Sequence, residues 1–225
     1  MDKFFLIIII VILKVSFSQG VIDLQIENKI LNNKELTFYS HRGDGPYDTT
    51  LAMSIQYQPV KLLRAELSKE LEYNLNFFKL WNPEGEAHIT IITPVEYFKN
   101  IKRYLSIERI EAIAQEMGVQ SSEFEILGLG RGEAEVNQQL QETYFIIVQS
   151  PNLLKIRHQI YNEYLANGGP KEGWNPDDYY PHITIGFSLW DLHISDGVFK
   201  DVEHSLDKRF NLNIVNNLDT QGDLK

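Results

Sequence analysis

His88-Ile89-Thr90-Ile91 and His182-Ile183-Thr184-Ile185 are the same tetrapeptide, used once in each half of the chain. Each copy is dominated by β-branched residues and follows a small or turn-favouring residue, Ala87 or Pro181, which is the pattern of a β-strand. Alternate side chains of a strand share a face. His88 and Thr90 therefore point one way while Ile89 and Ile91 point the other, and the second copy repeats the division. The isoleucines suit burial, so each strand offers an imidazole and a hydroxyl to whatever lies opposite. Placed side by side, the two strands would bring two histidines and two threonines to one cleft.

A single His-x-Thr on a strand is an ordinary structural feature, because histidine is intermediate in burial and threonine is common in strands. Two identical copies in corresponding places of two similar halves are a different matter. Residues 51–57 alternate as a strand, Pro59 opens a helix over 60–75 with the stripe Leu62, Leu63, Leu67, Leu71 and Leu75, and a loop leads into the first copy. Residues 144–148 read as a wholly apolar and so central strand. Pro151 then opens a helix to 165, Gly168-Gly169-Pro170 ends it, and a loop with Trp174 and Pro176 leads into the second copy. Strand, proline-led helix, loop and HITI thus occur twice. The expected fold is α+β: two lobes from a duplicated β-α-β unit, pseudo-twofold symmetry, the HITI strands near the axis, helices outside and a central concave cleft.

With both motifs placed, the sequence resembles the 2H phosphoesterases, a family named for two His-x-Thr/Ser motifs. It includes bacterial RNA 2′,3′-cyclic phosphodiesterases first described as 2′-5′ RNA ligases, plant cyclic phosphodiesterases and 2′-5′ oligoadenylate phosphodiesterases. Tyr180-Pro181-His182-Ile183-Thr184-Ile185-Gly186-Phe187 looks especially like the family's second motif. The resemblance spans residues 51 to 187 and implies the same two-lobed architecture.

Two imidazoles across a cleft suit phosphodiester cleavage. Histidine titrates near neutral pH, so one ring can take a proton from the attacking water while the other protonates the leaving alkoxide. Threonine hydroxyls can donate to the non-bridging phosphate oxygens. Carried over by motif, the resemblance makes His88 and His182 the acid and base, in an order left open, and Thr90 and Thr184 the phosphate binders. Catalytic zinc wants three protein ligands, and no third stands at ligand spacing in these motifs, so neither metal nor other cofactor is expected. Trp174 and Tyr179 are the candidate substrate contacts, through stacking on a base. Arg131, among Gly128, Gly130 and Gly132, reads as a surface arginine in a strand end bent by glycines, not as part of a dinucleotide fingerprint. His41, His158, His193 and His204 match neither motif.

The formal net charge of −10 excludes the basic footprint needed to wrap long nucleic acid. A nucleotide, or an RNA end carrying a cyclic phosphate or 2′-5′ linkage, remains the expected partner, and no protein partner is inferred. The absence of cysteine excludes disulfides and thiol catalysis. Lys3, the apolar run 4–13 and Ser16-Phe17-Ser18 read as a signal peptide over 1–18, with a signal anchor as the alternative. The expected mature protein is secreted or periplasmic, with no stable membrane association after cleavage. Residues 19–48 form an N-terminal arm with room for one short strand, 49–215 the phosphoesterase-like domain and 216–225 a tail. Within the domain, helices are expected at 94–105, 107–117 and 199–206, and strands at 124–129 and 210–215. The rival functions are a nucleotide- or phosphate-binding protein of the same fold without turnover, and an RNA 2′-5′ ligase.

Overall fold

The computed structural model describes residues 20–43, 45, 48–79 and 83–216. The expected signal peptide and nearly all of the expected tail lie outside the described residues. In chain order the elements are β1 (Ile22–Glu27), β2 (Tyr39–His41), β3 (Thr50–Ser54), α1 (Tyr57–Glu70), β4 (His88–Ile92), α2 (Pro94–Glu96), α3 (Ile107–Glu116), β5 (Glu125–Val136), β6 (Gln139–Gln149), α4 (Pro151–Ala166), β7 (His182–Phe187), α5 (Val202–Ser205) and β8 (Phe210–Val215). Six strands form one antiparallel sheet in the order β2-β3-β4-β7-β6-β5. The fold is α+β and duplicated. The series β2-β3-α1-β4 is matched by β5-β6-α4-β7, and the halves meet where β4 pairs β7, on the pseudo-twofold axis.

One sheet face carries α1 and α4. Ile89, Ile91, Ile183 and Ile185 lie beneath them with no exposed surface. Burying each isoleucine is worth about 1.5–3 kcal/mol. A one-residue slip of either strand would expose its isoleucines and bury His and Thr in their place, so the hydrophobic pattern fixes which side chains face away from the helices.

Both HITI strands carry a β-bulge at the same point. Ala52 pairs Thr90 while Leu51 pairs Ile92, leaving Ile91 as the extra residue. Phe145 pairs Thr184 while Tyr144 pairs Gly186, leaving Ile185 extra. A bulge turns the next side chains to the other face, so Gly186 faces the helices and Phe187 the opposite side. Only glycine fits there: a Cβ on Gly186 would stand 2.7 Å from the Asn76 carbonyl oxygen and 2.8 Å from Leu75 Cβ.

Each bulge is held by the helix of the other half. Arg64 on α1 donates to the Ile185 carbonyl at 3.2 Å and to the Tyr57 hydroxyl at 2.5 Å. Arg157 on α4 donates to the Ile91 carbonyl at 2.6 Å. Buried carbonyls without partners are destabilising, and a bulge interrupts the ladder that would otherwise supply donors. The two arginines fill that deficit symmetrically.

Several elements differ from the sequence expectations. Helix α1 starts at Tyr57, not at residue 60, because Pro59 is tolerated anywhere in the first turn. The expected helix at 94–105 is α2 followed by a wider π turn, Tyr97–Ile101. Strand β5 bulges at Leu127, where Gly128 has positive φ, so the expected bend is present, but the strand continues to Val136 and turns at Asn137-Gln138, both with positive φ, as a two-residue hairpin requires. Gly130 and Gly132 leave room for Phe145 and Val198. Strand β6 is second from the edge and not central. Its second face is apolar because Val198 and Lys200, from the segment after β7, fold over it, while Leu206 lies against β5 at Gly128 and Gly130. The N-terminal segment holds two strands, β1 and β2. Strand β1 pairs in parallel with β8, while β2 extends the main sheet. The helix expected at 199–206 is the single turn α5.

Candidate active site

Ile89 and Ile183 are directly paired across β4 and β7. In an antiparallel pair this sets His88 opposite Thr184 and Thr90 opposite His182, all four on the face turned from the helices. Facing side chains of such a pair have Cβ atoms about 4.5–5.5 Å apart, and diagonal neighbours, here the two histidines, about 7–8 Å. That separation leaves room for one phosphate between the imidazoles.

The two histidines have different surroundings. His182 Nδ1 lies 2.7 Å from the Tyr180 carbonyl oxygen, so it carries the proton and donates. Its Nε2 is therefore a lone pair, and it accepts from the Lys200 ammonium at 3.2 Å. Lys200 also pairs with Asp191 at 2.9 Å, their side chains being 3% and 4% exposed. Asp191 further accepts from Thr143 at 2.5 Å and from Thr184 at 3.2 Å. His88 has no such cation in contact. Its ring stacks on Tyr39 and Phe78, with centroids 5.4 and 6.2 Å away. Its buried Nδ1 lies 3.5 Å from Glu86 Oε1, outside hydrogen-bond geometry. Tyr39 donates to Glu86 at 2.9 Å.

Burial, above all, lowers the pKa of His88 to about 4. Burial and then the Lys200 charge lower that of His182 to about 3. Asp191 is held low against its own burial by Lys200, whereas burial raises Glu86. A free imidazole titrates near 6.5, so between that value and 4 the unfolded chain binds more protons at these positions than the native protein does. Stability should therefore fall as pH drops from about 6.5 toward 4, and Glu86 offsets only part of that fall. Urea unfolding midpoints measured from pH 7.5 down to 4.5 test this. A midpoint constant from pH 7 to 5 would contradict two imidazoles held neutral.

The structure brings His88, Thr90, His182 and Thr184 together but not the two aromatic candidates. Trp174 is buried on the helix side against Tyr161 and Tyr164, and its Nε1 donates to Glu96 at 3.0 Å. Tyr179 lies over the Arg157 guanidinium, 4.6 Å from ring centroid to Cζ. Both belong to the setting of Arg157 and not to the histidine face. The aromatics beside the histidines are Tyr39, Phe78, Phe145 and Phe187 instead. Arg131 is paired with Glu133 and Glu142. His158 and His204 are exposed and pair with Asp177 and Asp201. His41 is half-buried, edge-on to Tyr39.

Sequence reading missed Asp191, Lys200, Tyr39 and Glu86. Glu86 had a signal, since it precedes His88 by two and shares its strand parity. Lys200 had none, lying in irregular chain beyond the second motif. Among the described residues, no three His, Cys, Asp or Glu side chains stand close enough to hold a metal ion.

Comparison with family models finds a match, described as Swiss Army Knife, 2H phosphoesterase domain, over residues 49–193. It covers more than half of the chain, and the protein belongs to this family of phosphoesterases. Comparison with curated proteins and with solved structures finds no match.

Proposed function

We propose that the protein is an exported, metal-independent phosphodiesterase. It hydrolyses 2′,3′-cyclic phosphate or 2′-5′ phosphodiester bonds in nucleotides or at RNA ends, with His88 and His182 as acid and base. The observation that carries this reading is the Ile89–Ile183 pairing, which turns both His-x-Thr motifs to one face across the symmetry axis. One imidazole accepts a proton from water as its oxygen attacks phosphorus. The other gives a proton to the departing ribose oxygen as the P–O bond breaks. Thr90 would donate to a non-bridging oxygen, where donors stabilise developing charge, and Thr184 would do so by turning its single O–H from Asp191 to the phosphate. Export rests on the leader-like residues 1–18.

The test is a panel assay of the protein starting at Gln19, with chelator present, on 2′,3′-cyclic nucleotides, 2′-5′ oligonucleotides and cyclic dinucleotides. Turnover of the first or second class is expected, unchanged by chelator. Binding without turnover would favour the rival phosphate-binding protein. Activity lost to chelator and restored by zinc would overturn the mechanism.

A further inference from the structure

Lys200 lies beyond the family match, at the end of an irregular segment, yet its ammonium reaches the centre of the histidine face. We propose that Lys200 is a substrate-phosphate ligand, resting on the His182 Nε2 lone pair and moving to a non-bridging oxygen when a phosphate monoester or diester binds. The inference rests on the phosphodiesterase reading for its substrate class and deepens it.

Three observations carry it. First, Nζ sits 3.2 Å from the nitrogen that a phosphate between the imidazoles would touch, so an oxygen beside that nitrogen falls within the ammonium's reach. Second, a lysine nitrogen carries three donors. Asp191 and His182 take two, and the Phe145 ring, with its centroid 5.2 Å from Nζ, borders the third side. The contact to a neutral imidazole is the weakest polar partner of the set, and an anionic oxygen displaces it readily because charge-assisted hydrogen bonds are stronger. Third, Asp191 anchors the ammonium while Thr143 and Thr184 fix Asp191 in turn. The charge is thus held in place before substrate arrives, as stabilisation of developing charge requires.

The groups facing His182 are Lys200, Asp191, His193 and the Tyr180 carbonyl, with His88 diagonal on β4. A cation against Nε2 keeps that nitrogen unprotonated, which fits a base and not an acid. When the ammonium moves to the phosphate, the lone pair is released to the attacking water. His182 is then the base, and His88, neutral in the resting protein, is the acid once the anionic phosphate beside it favours its protonated form; it takes a proton from solvent as substrate binds and gives it to the leaving oxygen.

The experiment follows the titration of His182 by NMR in the protein starting at Gln19, with and without inorganic phosphate. Wild type is compared with Lys200→Arg, Lys200→Met and the charge-balanced double variant Lys200→Met/Asp191→Asn. Losing one charge-assisted bond should weaken phosphate binding roughly 10- to 100-fold in Lys200→Met, with Lys200→Arg nearer wild type. Without the cation, the His182 titration should also move up toward the ordinary histidine value, and it should not in Lys200→Arg. The double variant serves if Lys200→Met, left with a buried unpaired carboxylate, fails to fold. Phosphate bound equally by wild type and a folded variant lacking the lysine would overturn the proposal, as would an unmoved His182 titration. Wild-type binding of phosphate with these shifts but no turnover on any substrate would sink the enzyme reading and leave the ligand assignment standing. Turnover undiminished in a folded variant lacking the lysine would do the reverse.

Discussion

Replacing either motif histidine by alanine is expected to lower kcat roughly 10²–10⁴-fold, the usual worth of a positioned proton-transfer group. The two replacements should differ in stability. His88 Nδ1 has no hydrogen-bond partner among the described residues, so His88→Ala strands no buried polar group there. His182→Ala strips the Tyr180 carbonyl of its donor and the Lys200 ammonium of an acceptor, and it should unfold at lower urea. A loss of activity that follows stability and not chemistry would therefore appear in His182→Ala alone. Equal losses of kcat in both variants, with unequal midpoints, are the expected signature of two proton-transfer groups. The double variant should fall short of the product of the single losses, because groups acting as a unit are not additive. Thr90→Ala and Thr184→Ala should each lose less, and Thr184 donates to Asp191 in the resting protein, so its loss also loosens the Lys200 anchor. Steady-state rates on whichever substrate the panel identifies decide the matter. Sustained turnover in the double histidine variant would end the acid–base assignment.

The duplicated core was legible because it is written in periods. His-Ile-Thr-Ile alternates, Pro59 and Pro151 mark helix starts, and the two series match in order. The face occupied by His88, Thr90, His182 and Thr184 follows from strand parity alone. What period cannot show is where irregular chain returns. The segment from Ser188 to Lys200 has no repeat, so nothing in the sequence places Lys200 against His182 or Val198 over Gly132. Residues 144–148 read as a central strand because both faces are apolar, yet the second face is covered by that same returning segment. Trp174 and Tyr179 misled for the converse reason. They stand close to His182 in sequence, but their loop crosses the helix side before the chain enters β7, and Arg157 gathers both rings.

That arginine carries the other large expected effect. Arg157 has no exposed surface and sits where three parts of the chain converge. It donates to the Ile91 carbonyl in the bulge of β4, to the Pro176 carbonyl at 2.8 Å and to Glu96 at 2.7 Å. Burial alone would raise the Glu96 carboxyl, but the guanidinium, with the Trp174 indole and the Thr93 amide, holds it low instead. Arg157→Ala therefore leaves a largely buried carboxylate without its counter-charge and strips a donor from four carbonyls, those of Ile91, Asn175, Pro176 and Asp178. Breaking a buried pair by removing one partner costs about 3–5 kcal/mol, so a urea midpoint well below wild type is expected. Arg64→Ala is the internal control. Arg64 holds the symmetry-related bulge at Ile185, but among the described residues it has no carboxylate partner, so its loss should destabilise less. Both variants should also reduce kcat if folded, because each bulge sits one residue beyond its motif threonine and sets the aim of that strand's His and Thr. Arg157→Ala/Glu96→Gln removes the stranded charge together with its cause. It should recover part of the lost stability but not the lost kcat, because the Ile91 carbonyl stays without its donor. Full recovery of both would mean that Arg157 serves only to neutralise Glu96 and has no part in holding the bulge beside His88.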